Sequence, residues 1–317
     1  MQHCSSNAIL FGRSVEKMHS KSKKKHISIG QLILCVVLGL LAMMAFLPVL
    51  LVLIVSLSSQ ESITNIGFSF FPESFSLEAY KYIGTFMDQI GRSYLITLFE
   101  TVCGTLWTIF LCSMFGYVLS RKNFRLRGFL SVFLLVTMLF NGGTMANFLV
   151  KGGLYGLRNN LLVLILPGVN AYTCIVMRTF IQSNVPDSLV ESAKIDGAGE
   201  FYIFSHIVLP LTIPACAALG FMQAVGHWNQ WETSYLYIDN ANLSSLQLLL
   251  IRIQKNMEYL QQNMASLTSE ELTMLLNMPD ISTRMAILMV TLGPILIAYP
   301  FFQKYFIKGI TVGAVKG

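Results

Sequence analysis

Long runs of hydrophobic residues alternate along the chain with shorter polar stretches that carry most of its charges. A run of about 20 apolar residues is long enough to cross the hydrocarbon core of a bilayer as a helix. Six runs meet that length and predict spans at 31–57, 93–119, 128–150, 159–181, 207–226 and 285–306. The pattern therefore predicts an all-α, polytopic membrane protein with six transmembrane helices.

The first run follows the basic stretch KSKKKH, an order that is also found in signal peptides. The run is longer than the apolar region of a signal peptide, and a convincing small-residue cleavage site does not follow it. We interpret it as a true span. The chain then divides into a basic N-terminal segment, 1–30, and a transmembrane domain, 31–317.

Composition agrees with a membrane protein. Hydrophobic residues make up 54% of the chain and charged residues only 12%, whereas soluble domains carry about 25% charged residues. The net charge of +6 is distributed in short clusters beside apolar runs rather than along one stripe. Such clusters indicate membrane orientation and contact with lipid, and they give no reason to expect a nucleic-acid partner.

The basic clusters predict the orientation of the spans. They lie before the first span, between the second and third, and after the sixth: Arg13, Lys17, Lys21, Lys23, Lys24, Lys25, Arg121, Lys122, Arg125, Arg127, Lys304, Lys308 and Lys316. Because positive charge stays in the cytoplasm, both termini are expected there, as an even number of spans requires. The loop 182–206 is then cytoplasmic and the loops 58–92 and 227–284 are external, in a multi-pass protein of the cell membrane.

The residues that usually carry chemistry do not form a recognisable site. Five of the six cysteines lie inside apolar runs, and none has the spacing of a metal site or an exposed disulfide framework: Cys35, Cys103, Cys112, Cys174 and Cys216. The sequence has no Walker motif and no nucleophile–base pair, and lone histidines such as His206 and His227 are interpreted as interfacial. We expect no catalytic residue, metal or cofactor, and no enzymatic activity of the chain itself.

A charged, glycine-punctuated stretch, ESAKIDGAGEFYIFSHIVLPLTIP, begins at residue 191 inside the predicted cytoplasmic loop. It predicts a short amphipathic helix over 186–196, with Asn184 able to cap its start. Leu189, Val190 and Ala193 share one face of that helix. Gly197 supplies the stop, with a positive φ or another backbone pressed close.

This stretch has two interpretations. Amphipathic helices often lie on lipid, but those usually carry basic residues, and here the only base is Lys194 among four acidic residues. The small residues on both sides of Gly197 favour docking into a groove of a partner protein instead.

The stretch also resembles a known family. Glu191-Ser192-Ala193 is followed after three residues by Gly197, after nine more by Ile207, and after one more by Leu209-Pro210. The permease subunits of binding-protein-dependent ABC importers share this spacing in a cytoplasmic loop that begins E-A-A. The single departure is Ser192 in place of the first alanine.

Other segments resemble the carbohydrate-type members of that family: Gly116–Lys122, Ile165–Gly168, Met177–Phe180, Trp228–Trp231, Leu236–Ile238, Leu246–Leu250 and Tyr299–Phe306. The segment Tyr299–Phe306 is similar to one branch of these, the importers of oligosaccharides and polysaccharide fragments. The resemblance covers roughly 28–317 and leaves the first 17 residues outside. The hypothesis that translation starts at Met18 is tested by N-terminal sequencing of the native protein.

The resemblance implies the ABC importer permease (MetI-like) fold with a cytoplasmic coupling helix. It also implies a second, different permease subunit, two cytoplasmic ATPase subunits, an extracytoplasmic binding protein and a carbohydrate cargo. The residues that it implies in ATPase coupling are Glu191, Ser192, Ala193, Gly197, Ile207, Leu209, Pro210, Lys316 and Gly317. Leu209-Pro210 is expected to open the fifth span, where a proline costs least because first-turn amides have no intrahelical partner.

The substrate pathway has weaker candidates: Glu100, Asn141, Gly142, Gly143, Trp228, Asn229 and Trp231. Glu100 is expected two turns inside the second span, near enough to the outer surface to reach water, where it binds substrate or pairs with the partner subunit. The glycines of the third span also suit close helix packing, and the tryptophans also suit an interfacial aromatic belt. Relatives usually carry a proline shortly after these glycines, where this chain has Met145-Ala146-Asn147.

The sequence therefore predicts the permease subunit of an ATP-driven importer of an oligosaccharide or polysaccharide fragment. One alternative keeps the fold but changes the cargo to a non-sugar solute. A secondary transporter driven by ions is another, disfavoured because the Gly/Pro-interrupted pattern has no second copy in the chain. An intramembrane enzyme is disfavoured because candidate catalytic groups do not recur at helical spacing.

Overall fold

The computed structural model describes residues 29–166, 168–263 and 280–314. The chain forms two compact units, Met1–Leu51 and Val52–Gly317. Of the first unit, the described part is the beginning of helix α1, and the second unit contains everything from the end of α1 onwards. The basic N-terminal residues used to predict orientation lie outside the described residues.

Helices account for the regular structure of the described residues, where the only β feature is an isolated antiparallel bridge between Ser58 and Phe75. The elements in chain order are α1 Ile29–Ser56, α2 Gln60–Ile66, α3 Glu78–Gly84, α4 Met87–Ser120, α5 Arg127–Leu139, α6 Gly143–Phe148, α7 Leu162–Ile165, α8 Ala171–Asn184, α9 Asp187–Ile195, α10 Glu200–Ile203, α11 Leu209–Trp228, α12 Glu232–Tyr237, α13 Leu246–Gln262 and α14 Asp280–Ala314. A π-helical turn, Leu149–Leu154, follows α6, and another, Phe204–Val208, joins α10 to α11.

Four of these stretches are long and apolar enough to cross a membrane: Ile29–Ser56, Met87–Ser120, Glu200–Trp228 and Ile281–Phe301. The pair Arg127–Leu139 and Gly143–Leu154 would make a fifth span, but it bends by 120° at its break. The described residues thus give four candidate spans, or five with the bent pair.

Two predicted helices are not continuous. The third, 128–150, breaks between Leu139 and Gly143, and the fourth, 159–181, is divided into α7 and α8. Each break has a glycine with a positive φ, 81° at Gly143 and 72° at Gly168. Glycine adopts this conformation at little cost, so these two positions permit a sharp change of direction that an apolar run does not reveal.

Helix α4 is central in the second unit, packing against both α8 and α11, and α11 packs in turn against α14. One face of α4 is small and polar along most of its length, and its buried residues are Ser93, Thr97, Glu100, Gly104, Thr108, Cys112, Ser113 and Gly116. Small side chains let helix backbones approach closely, which is how helices associate when lipid is as apolar as their own surfaces.

The packing divides into separate apolar clusters. One joins α3, α4 and α14 to α13 around Trp228, Leu246, Leu250 and Met257. Another joins the end of α4 to α8, α9 and the start of the Glu200–Trp228 helix; its buried members are Tyr117, Met177, Ile181, Val185, Val190, Ile203, Phe204, Val208, Ala215 and Leu219. The second cluster positions the short helix α9, which carries three of the nine predicted coupling residues.

Candidate functional site

Helix α9 stops in the way that its glycine predicts. The Ala198 amide donates to the Ala193 carbonyl at 2.9 Å, and the Gly197 amide donates to the Lys194 carbonyl at 3.0 Å. This pair of bonds is a Schellman motif, which requires a left-handed residue just after the helix. Gly197 has a φ of 82°, so the predicted positive φ is confirmed.

The start of α9 differs from the prediction. Pro186 occupies the capping position in an extended conformation, with a φ of −60° and a ψ of 136°. The side-chain amide of Asn184 instead donates to the Phe180 carbonyl at 2.9 Å, so it closes the end of α8. The expected Asn184 cap is wrong, because a residue before proline avoids the helical region and here Val185 separates the two helices.

Only part of the predicted apolar face of α9 is buried. Val190 is 2% exposed and Ala193 is half-buried in the cluster with Ile203 and Phe204, whereas Leu189 is 42% exposed. Leu189 and Val190 are neighbours in sequence and lie about 100° apart around a helix, so a face anchored by Val190 turns Leu189 outward. The three residues lie on one side of α9, as predicted, but Leu189 is at its exposed margin.

The opposite side of this region exposes large apolar side chains that would ordinarily be covered. We call the set the α9 face: Leu189, Ile195, Phe201 and Tyr202. Ile195 is 86% exposed and Phe201 is 65% exposed. Glu191, Ser192 and Gly197 are exposed beside them. Exposed apolar side chains concentrated in one short stretch of chain are typical of a protein or membrane interaction site.

Leu209 and Pro210 are the first two residues of α11, as predicted, but α11 continues a longer helical stretch. The helix begins ten residues earlier at Glu200, and the π-helical turn Phe204–Val208 immediately precedes Leu209. The Leu209 amide donates to the Phe204 carbonyl, five residues back, and this shift in bonding accommodates the donor that proline lacks. The predicted position of Leu209-Pro210 at the start of α11 is confirmed, but the first turn is not free of intrahelical partners, because the preceding π-helical turn supplies one. Ile207 is half-buried and Leu209 packs against the same cluster.

The last two predicted coupling residues, Lys316 and Gly317, lie outside the described residues.

Glu100 is buried in the middle of α4 and does not reach water. Its side chain is 0% exposed, and neither carboxylate oxygen has a hydrogen-bond partner among the described residues. The expectation that it reaches water is wrong, because it lies on the buried face of α4 between Thr97 and Gly104. A carboxyl in such a place is costly to ionise, and burial without a partner marks it as a candidate for a function.

The prediction that Asn141, Gly142 and Gly143 lie inside one continuous helix is wrong, because Asn141 and Gly142 lie in the break between α5 and α6 and Gly143 is the first residue of α6. The Asn141 side-chain oxygen accepts a hydrogen bond from the Gly143 amide at 3.0 Å. All three residues are exposed in this chain. Irregular backbone inside a bilayer requires protein or water beside it to satisfy its hydrogen bonds.

The two tryptophans near the end of α11 have different surroundings. Trp228 is 5% exposed, its Nε1 donates to the Thr291 carbonyl at 3.0 Å, and its ring meets Tyr94 edge-on at 5.5 Å. Trp231 is 40% exposed and, together with the exposed Asn229, lines an open polar cavity of about 390 Å³. Trp228 therefore holds α4, α11 and α14 together, whereas Asn229 and Trp231 face a cavity.

Sequence reasoning missed two polar contacts of the spans. A Cβ added at Gly104 would lie 2.8 Å from Cε1 of His227, so that imidazole packs directly on the polar face of α4. The phenolic hydroxyl of Tyr117 donates to Oε2 of Glu200 at 2.6 Å. Gly104 in an apolar run was a signal for the first contact, and the second joins residues 83 positions apart, which no local pattern reveals. Among the described residues no group of three or more His, Cys, Asp or Glu side chains could hold a metal ion.

The fold and the motif together define a membrane permease subunit. Residues 108–312 match the family described as "Binding-protein-dependent transport system inner membrane component", and the chain belongs to that family.

Its similar proteins include the Bacillus subtilis (strain 168) "Polygalacturonan/rhamnogalacturonan transport system permease protein YtcP", 39% identical over 277 residues that cover 87% of this chain and 94% of that protein. The "Arabinooligosaccharides transport system permease protein AraQ" of Halalkalibacterium halodurans is 29% identical over 305 residues, covering 93% of this chain and all of that protein. A solved bacterial ABC transporter involved in the import of the acidic polysaccharide alginate has a chain with a TM-score of 0.73 and 26% identity, covering 90% of this chain and 100% of that one.

Proposed function

We propose that the chain is the transmembrane subunit of an ATP-driven importer for an oligosaccharide or polysaccharide fragment. The curated relatives of the chain include permeases named for polygalacturonan/rhamnogalacturonan and arabinooligosaccharides, and the similar structure comes from an alginate importer. Plant cell-wall and alginate chains are acidic or hydroxyl-rich, and such cargo would need the polar side chains of a cavity rather than an apolar pocket.

In this proposal α9 is the coupling helix, and the observation that carries it is the exposed α9 face. Ile195 of α9 and Phe201 of α10 are exposed, whereas Val190 of α9 is buried and anchors that helix. ATP-driven closure of two ATPase subunits would displace a rigid, anchored helix of this kind and turn the spans between inward- and outward-facing states. The ATPase subunits, the binding protein and a second, different permease subunit belong to the proposal, as do six spans with both termini cytoplasmic.

The sixth span is proposed from the divided segment α7–α8. Helix α8 has 14 residues, too few to cross a bilayer alone, since about 20 are needed. Together with α7 and the break at Gly168, α8 forms a segment that is long enough to span as a broken helix. Asn229 and Trp231 are the proposed contacts with cargo, because they line the open cavity near the end of α11. Glu100 remains a candidate for contact with cargo or with the partner subunit.

The test of coupling is Gly197→Asp. An added Cβ meets no atom within 4 Å, so the chain itself offers no clash, and the φ of 82° costs only about 1 kcal/mol. Membrane insertion and abundance should therefore stay near the wild-type values, while ATPase co-purification, binding-protein-stimulated hydrolysis and uptake should fall sharply.

Gly156→Asp is the matched control, because Gly156 has a φ of 62°, also meets no atom within 4 Å, and lies in a loop predicted to be external. It introduces the same charge and a similar strain away from α9. Unaltered co-purification and stimulated hydrolysis in Gly197→Asp would show that α9 is only an interfacial helix.

A further inference from the structure

The contacts that attach α9 to the end of α4 suggest how movement of α9 reaches the spans. Three residues of α9 face α4 and lie at positions i, i+3 and i+7, which is one side of a helix: Asp187, Val190 and Lys194. Val190 is buried in the apolar cluster that contains Tyr117. Asp187 and Lys194 make polar contacts on either side of it.

At the start of α9, Asp187 pairs with the basic end of α4. Arg121 Nη1 lies 3.4 Å from Asp187 Oδ1, and Lys122 Nζ lies 3.5 Å from Asp187 Oδ2. The guanidinium carbon of Arg121 lies 5.1 Å from the centroid of the Tyr117 ring, within the range of a cation–π contact. Asp187 is thus joined to Tyr117 through Arg121.

At the other end of α9, one carboxylate joins three elements. Glu200 Oε1 lies 2.5 Å from Lys194 Nζ, and Glu200 Oε2 accepts the 2.6 Å hydrogen bond from Tyr117. The Lys194–Glu200 ion pair bridges the turn that contains Gly197 and Gly199, which separates α9 from the Glu200–Trp228 helix. Both ends of α9 therefore converge on Tyr117.

The Tyr117–Glu200 hydrogen bond dominates these polar contacts. The side chains of Lys194 and Glu200 are 46% and 60% exposed, and an exposed ion pair contributes little on its own. Tyr117 is 5% exposed, and a short hydrogen bond from a buried hydroxyl to a charged acceptor is about twice as strong as a neutral one. The backbone that connects α9 to α10 contains two exposed glycines, Gly197 and Gly199, and glycine backbone is flexible.

We propose that Tyr117 and Glu200 are positioning residues that transmit the displacement of α9 to α4 and α11 together. The inference rests on the proposed function, in which α9 docks on an ATPase. In this proposal the Tyr117–Glu200 hydrogen bond prevents the turn that contains Gly197 and Gly199 from bending when α9 moves. The movement is then passed on to α4 and α11. Breaking the hydrogen bond should leave docking intact and loosen the relation between hydrolysis and transport.

The test uses Tyr117→Phe and Glu200→Ala in the complete transporter, reconstituted with its ATPase and binding-protein subunits. Tyr117→Phe keeps the ring that packs against Phe204, at 5.8 Å between centroids, and removes only the hydroxyl. We expect ATPase co-purification to be unchanged and the ATP hydrolysed per solute transported to rise about tenfold, the factor that the loss of a charge-assisted hydrogen bond produces. Glu200→Gln, whose amide oxygen still accepts from Tyr117, should restore most of the coupling.

A double-variant cycle separates coupling from a merely structural role. If the two residues act through their shared bond, Tyr117→Phe with Glu200→Ala should be no worse than either alone. Tyr94→Phe is the control, because Tyr94 lies at the other end of α4, where its ring packs on Trp228. It should leave the ATP-to-solute ratio at the wild-type value.

Three results would overturn the inference. One is a wild-type ratio in both single variants, and a second is additive effects in the double variant. A third is a proportional fall in uptake and hydrolysis with reduced abundance, which is the signature of misfolding. If the wild-type chain fails to co-purify with an ATPase, the proposed function fails and this inference falls with it. If the wild-type transporter couples hydrolysis to uptake and Tyr117→Phe leaves the ATP-to-solute ratio unchanged, only the inference is overturned.

Discussion

Gly116 lies where α4 crosses α8 at close range. A Cβ at this position would be 2.9 Å from Cγ of Met177 and 3.0 Å from the backbone nitrogen of Arg178. The methionine side chain is flexible, but the backbone of a packed helix is not, so the two helices would have to move apart. A single hydrogen in place of a methyl group therefore fixes the distance between two elements of the core.

We expect Gly116→Ala to destabilise the folded protein by about 1–3 kcal/mol, the usual cost of overpacking. Gly91→Ala on the same helix is the matched control, because its Cβ would meet no atom within 4 Å. That change should be neutral or slightly stabilising, since alanine favours helix more than glycine does. Thermal unfolding of both variants in detergent measures the difference, and equal stability would contradict the packing described for α4 and α8.

Some residue-level features followed from local sequence and others did not. The positive φ of Gly197 was predictable because a helix stop depends on the few residues beside it. The burial of Glu100 was not, because it depends on where α4 begins and on what packs around it. Tyr117 was part of a recognised segment, yet its contact with Glu200 depends on the tertiary packing of the α4 end against α9 and α10.

At the scale of elements, the helices of strongly apolar runs are close to their predicted positions, and the breaks within them are not predicted. The second predicted span, 93–119, lies inside α4. The third was predicted as one helix because apolar residues recur on both sides of the break between α5 and α6, and a hydrophobicity pattern does not reveal a turn of two or three residues. The sharp bend between Leu139 and Gly143 shows only in the backbone.

The bend predicts that alanine substitution destabilises the protein at Gly143 but not at the neighbouring Gly142. Gly143 has a φ of 81°, whereas Gly142 has a φ of −67° and its added Cβ would make only an ordinary 3.6 Å contact with Ala146. Gly143→Ala should therefore cost about 1 kcal/mol and Gly142→Ala should cost little. In a straight helix both changes would stabilise the protein by up to about 1 kcal/mol. Thermal unfolding distinguishes these cases, and stabilisation by Gly143→Ala would contradict the break.

At the scale of the whole molecule, orientation is predicted from charge. In a background without native cysteines, a membrane-impermeant thiol reagent applied from outside should label Ser69→Cys and Asn242→Cys, which lie in the predicted external loops. It should not label Ser188→Cys until the membrane is opened. Labelling of Ser188→Cys from outside would reverse the orientation and remove α9 from reach of a cytoplasmic ATPase.

Assembly belongs to the same scale. The relatives include permeases of oligosaccharide systems, and we expect this chain to form a heterodimer with a second permease over two ATPase subunits. The described residues supply one set of helices and one α9. A pair of ATPase subunits would dock on two such helices, and we expect the second permease to carry the other.

The most direct measurement is uptake into proteoliposomes that contain this chain, its partner permease and the ATPase subunits. Labelled oligogalacturonides or arabinooligosaccharides are supplied outside with the binding protein, and ATP is enclosed inside. We predict that uptake requires ATP, the ATPase subunits and the binding protein, and that ionophores collapsing proton and sodium gradients leave it unchanged. Uptake that proceeds without ATP and stops when the ionophores are added would contradict the account.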